Sequence, residues 1–428
     1  MTPEIKQRIE QIRNVEAPDG YKKTKYGIFP SHWKVDKLGN YLQELRDLSN
    51  EIEKYPVYSS SRKGLLPQSQ YYDKREAVTT NLGYKKVPNG YVTYRHMSDD
   101  DIFRFNKNTT KGTVLVSSEY PVFNCNTNGN IDYILPLLND SPRFKYYCRI
   151  QKMGGTRTRL YYKNLCQYTT AFPPLKEQQK IAKILSAQDK VIECYEKKIE
   201  QLKRMKKYYL QNMFPKHGET VPKNRFKGFT DPWKRRKLRD IFNSFVYGLN
   251  AAAIKYDGKH KYIRITDIDD ITHQFLHNNL TSPDIDFSNA DDYLLQDGDI
   301  LFARTGASVG KTYIYRRNDG ALYFAGFLIR AKIKSDYDAE FVFQNTLTYN
   351  YDNYIRMTSQ RSGQPGVNAQ EYGRFEISVP NFAEQQKIGT YFSLLDNIIT
   401  LHQRKLEEEK KKKKALLQLL LTGIVRTN

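Results

Sequence analysis

Cysteine is scarce in this 428-residue chain, and its placement excludes its two commonest structural uses. Cys125, Cys148, Cys166 and Cys194 form no CxxC pair and no disulfide framework, which is typical of ordinary thiols in a cytosolic protein. The seven histidines form no HExxH motif, so no metal site is predicted. Long apolar runs are also missing, and so is an apolar N-terminal segment. We therefore expect a soluble, cytoplasmic protein without a signal peptide or membrane span.

Acidic residues are outnumbered as well. There are 69 Lys and Arg against 47 Asp and Glu, which gives a formal net charge of +22. Such an excess favours a polyanionic partner, because cations that replace the counterions of phosphates release those counterions. With 33 tyrosines and 21 phenylalanines among the basic residues, the composition favours nucleic acid. An acidic protein or an anionic membrane remains the alternative.

Motifs for catalysis are absent, and the nearest approach to one fails in its spacing. Only three residues separate Gly306 from Gly310 before Lys311, whereas a phosphate-binding P-loop needs four. The following Tyr313-Ile-Tyr-Arg-Arg favours a strand, so the helix that would hold a phosphate is missing. We predict a glycine turn between two strands instead. Phe172-Pro-Pro-Leu lacks the preceding amide or carboxylate that a methyltransferase uses to hold its target amine, and nothing else in the chain requires an enzyme.

What the chain does contain is a repeat. Glu-Gln-Gln-Lys-Ile occurs at 177–181 and again at 384–388, 207 residues later. The only two tryptophans, Trp33 and Trp233, are each followed shortly by Lys-Leu. A period near 200 residues predicts a duplicated unit that opens with a tryptophan segment, continues as a globular stretch and closes with a helix.

Each half closes with a polar segment of helical periodicity, one of about 40 residues from Lys176 and one from about Phe382 to Leu421. Such helices would be about 60 Å long. Shifted by 207, their apolar positions coincide: Ile181 on Ile388, Val191 on Ile398, Ile192 on Ile399, Ile199 on Leu406 and Leu210 on Leu417. Because helices this polar gain little from folding alone, we expect the two to pair and to hold the globular stretches apart. The Lys run 410–414 is interpreted as a solvated helix face.

Two loops combine glycine with side chains that can contact DNA. They are Gly363-Gln-Pro-Gly-Val-Asn368 and, in the first half, Gly154-Gly-Thr-Arg-Thr-Arg159. Arg, Gln and Asn can form paired hydrogen bonds with base edges, although plain structural turns are the alternative. Tyr161, Tyr162 and Trp33 are interpreted as core residues. The residues predicted to bind DNA are Arg95, His96, Arg157, Arg159, Lys163, Arg304, Thr305, Lys311, Arg361, Gln364 and Asn368.

The order of these segments resembles the specificity subunit of Type I restriction-modification systems. Phe172-Pro-Pro-Leu-Lys-Glu-Gln-Gln-Lys-Ile181 is close to the family's helix-opening sequence, and Val379–Ile388 is a looser copy. Gly298-Asp-Ile-Leu-Phe-Ala-Arg-Thr-Gly306 and the Gly363–Asn368 turn look like recurring family turns. The first half lacks both turns. Asn89–His96 and Gly154–Arg159 take their places, which implies that the halves recognise different sequences.

The resemblance implies an α+β fold. Two mixed α/β target-recognition domains would be separated by two long conserved helices that pair as an antiparallel coiled coil, in a pseudo-twofold internal repeat. The expected segments are an N-terminal helical segment (1–20), the first recognition domain (21–172), the first spacer helix (173–215), a linker (216–232), the second recognition domain (233–380), and the second spacer helix with the C-terminal tail (381–428).

The resemblance further implies a non-catalytic reader of double-stranded DNA with an asymmetric two-part target, the gap being set by helix length. Two modification subunits would carry S-adenosylmethionine, two restriction subunits would use ATP and Mg, and this chain would bind no cofactor. A basic scaffold that binds RNA or protein through its helix pair is the alternative, and a stand-alone P-loop enzyme is a third. The residues expected to form the helix pair or dock partners are Glu177, Gln178, Ile181, Ile192, Ile199, Glu384, Gln385, Ile388, Ile399 and Leu406.

Overall fold

The computed structural model describes residues 2–71, 83–152, 156–216, 218–360 and 363–427. The chain divides into two compact units, one formed by Met1–Cys194 with Leu406–Asn428 and the other by Tyr195–Lys405. Both boundaries fall inside long helices, so each long helix contributes a part to both units. Both units mix short strands with helices, as the α+β prediction requires.

The first unit contains the following elements. Its helices are α1 (Pro3–Arg13), α2 (Gln68–Tyr71), α3 (Ile131–Asp140), α4 (Pro142–Arg149), α5 (Tyr162–Gln167) and the first part of α6 (Leu175–Asn212). Its strands are β1 (Tyr21–Thr24), β2 (Gly27–Pro30), β3 (Lys34–Lys37), β4 (Leu42–Glu44), β5 (Leu48–Ser49), β6 (Tyr58–Ser61), β7 (Gly64–Pro67), β8 (Tyr84–Val87), β9 (Val92–Tyr94), β10 (Met97–Ser98), β11 (Phe105–Lys107), β12 (Val114–Ser117), β13 (Val122–Cys125), β14 (Thr158–Arg159) and β15 (Thr169–Phe172).

The second unit follows the same order of strands, helices and closing helix. Its strands are β16 (Lys234–Lys237), β17 (Phe242–Tyr247), β18 (Ala253–Lys255), β19 (Lys261–Ile263), β20 (Thr281–Pro283), β21 (Ile300–Ala303), β22 (Thr312–Ile314), β23 (Leu322–Phe324), β24 (Leu328–Ile333) and β25 (Glu376–Val379). Its helices are α7 (Leu238–Ile241), α8 (Ala339–Asn345), α9 (Tyr349–Thr358), α10 (Ala369–Arg374) and most of α11 (Phe382–Leu421).

A four-stranded antiparallel sheet lies at the centre of each unit, and its strand order is repeated. In the first unit the order is β11-β9-β13-β4, and in the second it is β22-β21-β24-β17. Strand β21 is buried along its whole length, and so is β9. The first unit therefore builds the same sheet without the Gly-Asp-Ile-Leu-Phe sequence, since Val92, Thr93 and Tyr94 are all buried in the equivalent strand.

The repeated tryptophan segment closes each sheet domain. Trp33 and Trp233 are both buried in the core, as interpreted for Trp33 from the sequence. The strand after each tryptophan pairs antiparallel with the strand that precedes the long helix, β3 with β15 and β16 with β25. Each Lys-Leu therefore marks the point where this two-stranded ribbon turns into the domain.

The long helices α6 and α11 are present, and within each unit their segments pack antiparallel. In the first unit the Gln188 amide donates to Glu409 Oε2 at 2.6 Å, and Lys413 Nζ lies 2.5 Å from Asp189 Oδ1. In the second unit Lys206 Nζ lies 2.7 Å from Asp396 Oδ1. There Leu202, Leu395 and Ile399 form a buried apolar cluster between the helices. The predicted antiparallel pairing is confirmed within each unit.

The predicted apolar stripe was too wide at one pair of positions. Val191 and Ile398, although they coincide in the repeat, are exposed, whereas Ile399 is buried and Ile192 is half-buried. Consecutive residues on a helix point in directions about 100° apart, so both members of a pair cannot enter one narrow seam.

The repeated Glu-Gln-Gln anchors each long helix to its own unit. Gln178 is fully buried and its amide donates to the Pro173 carbonyl at 3.0 Å. Its Oε1 accepts a hydrogen bond from Asn130 N at 2.9 Å, and Asn130 is the N-cap of α3. One side chain therefore joins the start of the long helix, the ribbon before it and helix α3.

Gln385 makes the same bonds in the second unit. Its amide donates to the Pro380 carbonyl at 3.0 Å, and its Oε1 accepts from Asp338 N, the N-cap of α8, at 3.1 Å. The neighbouring glutamates differ. Glu177 accepts from the Trp33 indole at 3.2 Å, whereas Glu384 forms two bonds of 2.8 Å with the Arg225 guanidinium.

The Arg225–Glu384 pair yields a stability prediction. The Glu384 side chain is 0% exposed, so Arg225→Met leaves a carboxylate buried without its partner and should destabilise the second unit by about 3–5 kcal/mol. Guanidinium unfolding followed by circular dichroism measures the loss. Arg225→Met combined with Glu384→Leu should recover most of it. The control Arg204→Met breaks an exposed pair with Glu200 and should cost less than about 1 kcal/mol. If Arg225→Met loses as little stability as the control, Arg225 and Glu384 do not form the buried ion pair described here.

Candidate nucleic-acid interface

One strand of each central sheet ends beside a loop that follows it much later in the chain. At the end of β9, the His96 carbonyl accepts from Leu160 N at 2.8 Å. At the end of β21, the Arg304 carbonyl accepts from Val367 N at 2.9 Å. These bonds make positions 96 and 304 equivalent. They also confirm, for the described residues, the predicted match of 89–96 with 298–306 and of the two glycine loops.

In the second unit the two predicted loops come together. Strands β21 and β22 pair antiparallel, and Gly306–Ser308 forms a single 3-10 turn between them. The predicted glycine turn between strands is therefore confirmed. Gly306 N donates to the Pro365 carbonyl at 3.0 Å, and Thr305 forms an isolated antiparallel bridge with Gly366. The Gly363–Asn368 segment is held beside the turn by these backbone bonds.

Arg304 lies at the centre of this element. Its guanidinium carbon is 5.1 Å from the centre of the Tyr247 ring and 5.9 Å from that of Phe327. Its Nε is buried and has no hydrogen-bond partner in the described part of the chain. Since no carboxylate among those residues pairs with it, the stabilisation of this cation within the unit comes from ring faces.

Other predicted residues of the second unit are committed to internal bonds. Lys311 Nζ donates to the Ile268 carbonyl at 3.0 Å and forms an ion pair with Asp270, and its side chain is only 12% exposed. Asn368 is the N-cap of α10, and its Oδ1 accepts from Glu371 N at 2.9 Å. Gln364 is exposed. Arg361 lies outside the described residues.

In the first unit the predicted cations lie at different positions around the equivalent backbone pair. Arg95 and Arg159 are exposed, and Arg159 on β14 is paired with Met97 on β10. Lys163 is exposed on α5. Arg157 is exposed too, but its Nε donates to Asp99 at 2.7 Å. The sequence pattern named these cations, and only the fold separates the paired Arg157 from the others.

His96 differs from its counterpart Arg304. It is 5% exposed, and its ring stacks on that of Tyr161 at 5.4 Å. Burial lowers the pKa of His96 below the ordinary value. The interpretation of Tyr161 as a core residue was wrong, because its ring covers His96 from the solvent side and is itself exposed. Nothing in the local sequence distinguished it from the half-buried Tyr162.

No group of three His, Cys, Asp or Glu side chains among the described residues is arranged to hold a metal ion. None of the helices in that part of the chain is both long and apolar enough to cross a membrane.

The chain matches the family model described as the Type I restriction modification DNA specificity domain twice, at residues 36–204 and 230–410. These matches cover most of the chain and coincide with the two copies of the sheet. The protein therefore belongs to this family of Type I DNA specificity proteins, and it carries two specificity domains.

Known relatives agree with this membership. The chain is 23% identical over 439 residues to a putative type I restriction enzyme MjaX specificity subunit of Methanocaldococcus jannaschii, covering 96% of this chain and 97% of that protein. It is 24% identical over 269 residues to the MjaVIII specificity subunit of the same organism, covering 60% and 62%.

Solved structures share the fold. The type I restriction-modification S subunit from M. genitalium superposes with a TM-score of 0.60 at 15% identity, covering 91% of this chain and 96% of that one. A chain from a structure of type I complex assembly and conformational transition gives a TM-score of 0.51 at 13% identity, covering 93% and 99%.

The buried imidazole yields a pH prediction. Because the folded-state pKa of His96 is lowered, its contribution to stability is present above the unfolded value of about 6.5 and is lost as pH falls below it. Replacing it by His96→Gln should therefore reduce the fall in Tm between pH 7.5 and 5.5. Tyr161→Phe keeps both rings, so its Tm should fall as much as that of the wild type does. If the Tm of His96→Gln falls as much as that of the wild type, His96 is not the source of the pH dependence.

Proposed function

We propose that this protein is the non-catalytic DNA sequence-specificity subunit of a Type I restriction-modification complex and that it recognises an asymmetric two-part duplex target. One observation carries the proposal. Two specificity domains share a sheet and a backbone hydrogen bond at its end, between His96 and Leu160 in one and between Arg304 and Val367 in the other, but carry different side chains there. Two different readers in one chain give a target with two different half-sites.

The charges at these loops fit duplex DNA. Arg95, Arg159 and Lys163 are exposed in the first unit, on a chain of net charge +22. Lys and Arg side chains bind phosphates and release counterions, so such residues position the protein on DNA. We assign the two recognition domains to residues 21–172 and 233–380, with no cofactor bound by the chain itself.

Partner docking is assigned to an exposed apolar stripe rather than to the repeated Glu-Gln-Gln. Glu177, Gln178, Glu384 and Gln385 are bonded within their own units. In contrast, α11 exposes Leu394 (57%), Ile398 (42%) and Leu401 (55%), which are spaced i, i+4, i+7 along one helix face. Exposed apolar faces of this kind are typical of protein interfaces.

We assign this face to modification subunits, which would supply S-adenosylmethionine and adenine methylation, with restriction subunits that use ATP and Mg joining them. The chemistry of the complex would then reside in its partners, and the chain would select where that chemistry acts.

The proposal predicts the methylation pattern of the host genome. Deleting the gene should abolish adenine methylation at one asymmetric two-part motif, because the modification subunits lose their reader. A whole-genome map of methylated adenines, with and without the gene, measures this. Complementation with the intact gene should restore adenine methylation at that motif. Unchanged methylation at every motif, while the partner subunits are expressed, would refute the proposal.

The docking face has its own prediction. Leu401→Lys should weaken binding of the modification subunit by at least tenfold, since a charge would have to be buried in an apolar contact. Pull-down and calorimetry with the purified subunit measure the change. The control Ile271→Lys alters an even more exposed apolar residue outside the stripe and should bind as the wild type does. Equal binding by both variants would exclude this face.

A further inference from the structure

Resting on the proposed function, we propose that each unit contains a groove that binds an acidic, amphipathic segment of one modification subunit. In the second unit the groove is an open cavity of about 810 Å³ between α6 and α9. In the first unit it is a cavity of about 550 Å³ between α11 and α4. Both are separate from the exposed apolar stripe of α11.

The helix wall of each groove has the same sequence. Lys-x-x-Lys-Lys-x-x-Leu-Gln occurs at 203–211 and again, 207 residues later, at 410–418. Its five defined side chains line the groove in both units, because their spacing of i, i+3, i+4, i+7 and i+8 places them on one helix face. The four positions between them line neither cavity, and all four differ between the copies. The repeat is therefore preserved only where the helix meets the groove.

Pairing of the long helices accounts for one of the repeated lysines but not for the next one. Lys206 Nζ and Lys413 Nζ lie 2.7 and 2.5 Å from an aspartate oxygen of the facing helix in their own units. Lys207 and Lys414 are exposed, and no residue that the structure describes forms an ion pair or hydrogen bond with either ammonium. Since no internal bond requires a lysine there, its repetition indicates an anion supplied from outside the chain.

The grooves combine an apolar base with a cationic rim. The larger groove is lined by five Lys or Arg and three Asp, and the smaller one by five Lys or Arg and one Asp. Apolar side chains lie between these charges: Leu210, Ile355 and Ile399 in the second unit, and Leu417, Phe29 and Leu137 in the first.

This combination favours a protein segment over a DNA backbone. Phosphates would use the rim and leave the apolar base in contact with water. A helix with apolar residues on one side and carboxylates beside them would cover the base and pair with the rim, as amphipathic helices do in the grooves of their partners.

The presence of two grooves indicates how many copies of the partner bind. The wall opposite the repeated helix differs, with Tyr349 and Asp352 in one unit where Pro142 and Lys145 stand in the other. The loops of the candidate interface differ as well. A ligand that belonged to one half-site would be expected to meet different side chains in the two copies. An unchanged helix wall instead fits one kind of subunit that binds twice, once in each unit.

Calorimetry with the full chain and the purified modification subunit tests this assignment. The wild type should bind two modification subunits. Lys207→Glu and Lys414→Glu should each weaken one of the two binding events by roughly tenfold or more, because a new carboxylate would face the acidic segment. The variant that carries both changes should weaken both events. Its affinity should also fall less than that of the wild type when salt is raised.

Lys198→Glu and Lys411→Glu are matched controls. They make the same change at exposed lysines on the same two helices but outside the grooves, so both should bind as the wild type does. Thermal melting followed by circular dichroism verifies that each variant is folded. If a charge-reversed variant does not fold, Lys207→Gln and Lys414→Gln replace it and should reduce the affinity and the salt dependence in the same direction.

The remaining outcomes separate the possible errors. Equal weakening by the groove variants and the controls would reflect the net charge of the chain and overturn the proposal. Groove variants that bind the modification subunit normally but weaken the binding of duplex DNA by the complex would assign the lysines to phosphates, which also overturns it. If the wild type binds no modification subunit, the proposed function itself fails and not only the role of the grooves.

Discussion

A buried glutamine holds each half of this protein together. Gln178 and Gln385 each accept a hydrogen bond from the backbone N–H of a helix N-cap residue, that of α3 or α8, and each donates to a proline carbonyl before the long helix. The bonds to the proline carbonyls are buried, and an unpaired buried group would cost about 1–3 kcal/mol. The amide has one donor side and one acceptor side, so it satisfies both groups at once. A glutamate at this position could not donate, which explains why the repeat contains glutamine.

The same anchor makes the duplication tolerant of change elsewhere. The glutamine joins the long helix, the closing ribbon and helix α3 or α8 in each unit. The strand order of the central sheet is preserved although its sequence is not. The loops at the end of β9 and β21 are then free to differ, because their backbone bonds, through Leu160 N and Val367 N, do not depend on side chains. Conserved support with variable loops is the arrangement expected of a binding protein.

Net positive charge is a poor guide to which cations meet DNA. Arg304 and Lys311 lie close together in sequence at the same hairpin, yet the first has only ring faces around its charge, while the second is bonded to Asp270 and the Ile268 carbonyl. Arg157 similarly pairs with Asp99. A cation already paired inside its own domain gains less from a phosphate, since the new bond replaces an old one.

The sequence alone determined the duplication, the two long helices and their pairing, and the burial of Trp33. Local periodicity or identical motifs indicate these features, and both can be recognised without knowing which residues meet in the fold. The sequence also named the two loops that the structure brings together in the second unit. The fold decided which side chains in those loops remain free, that His96 is covered by Tyr161, and that Val191 and Ile398 lie outside the seam. Each of these depends on partners far away in the chain or on the direction of one side chain. The spacing of residues along the sequence specifies neither of these.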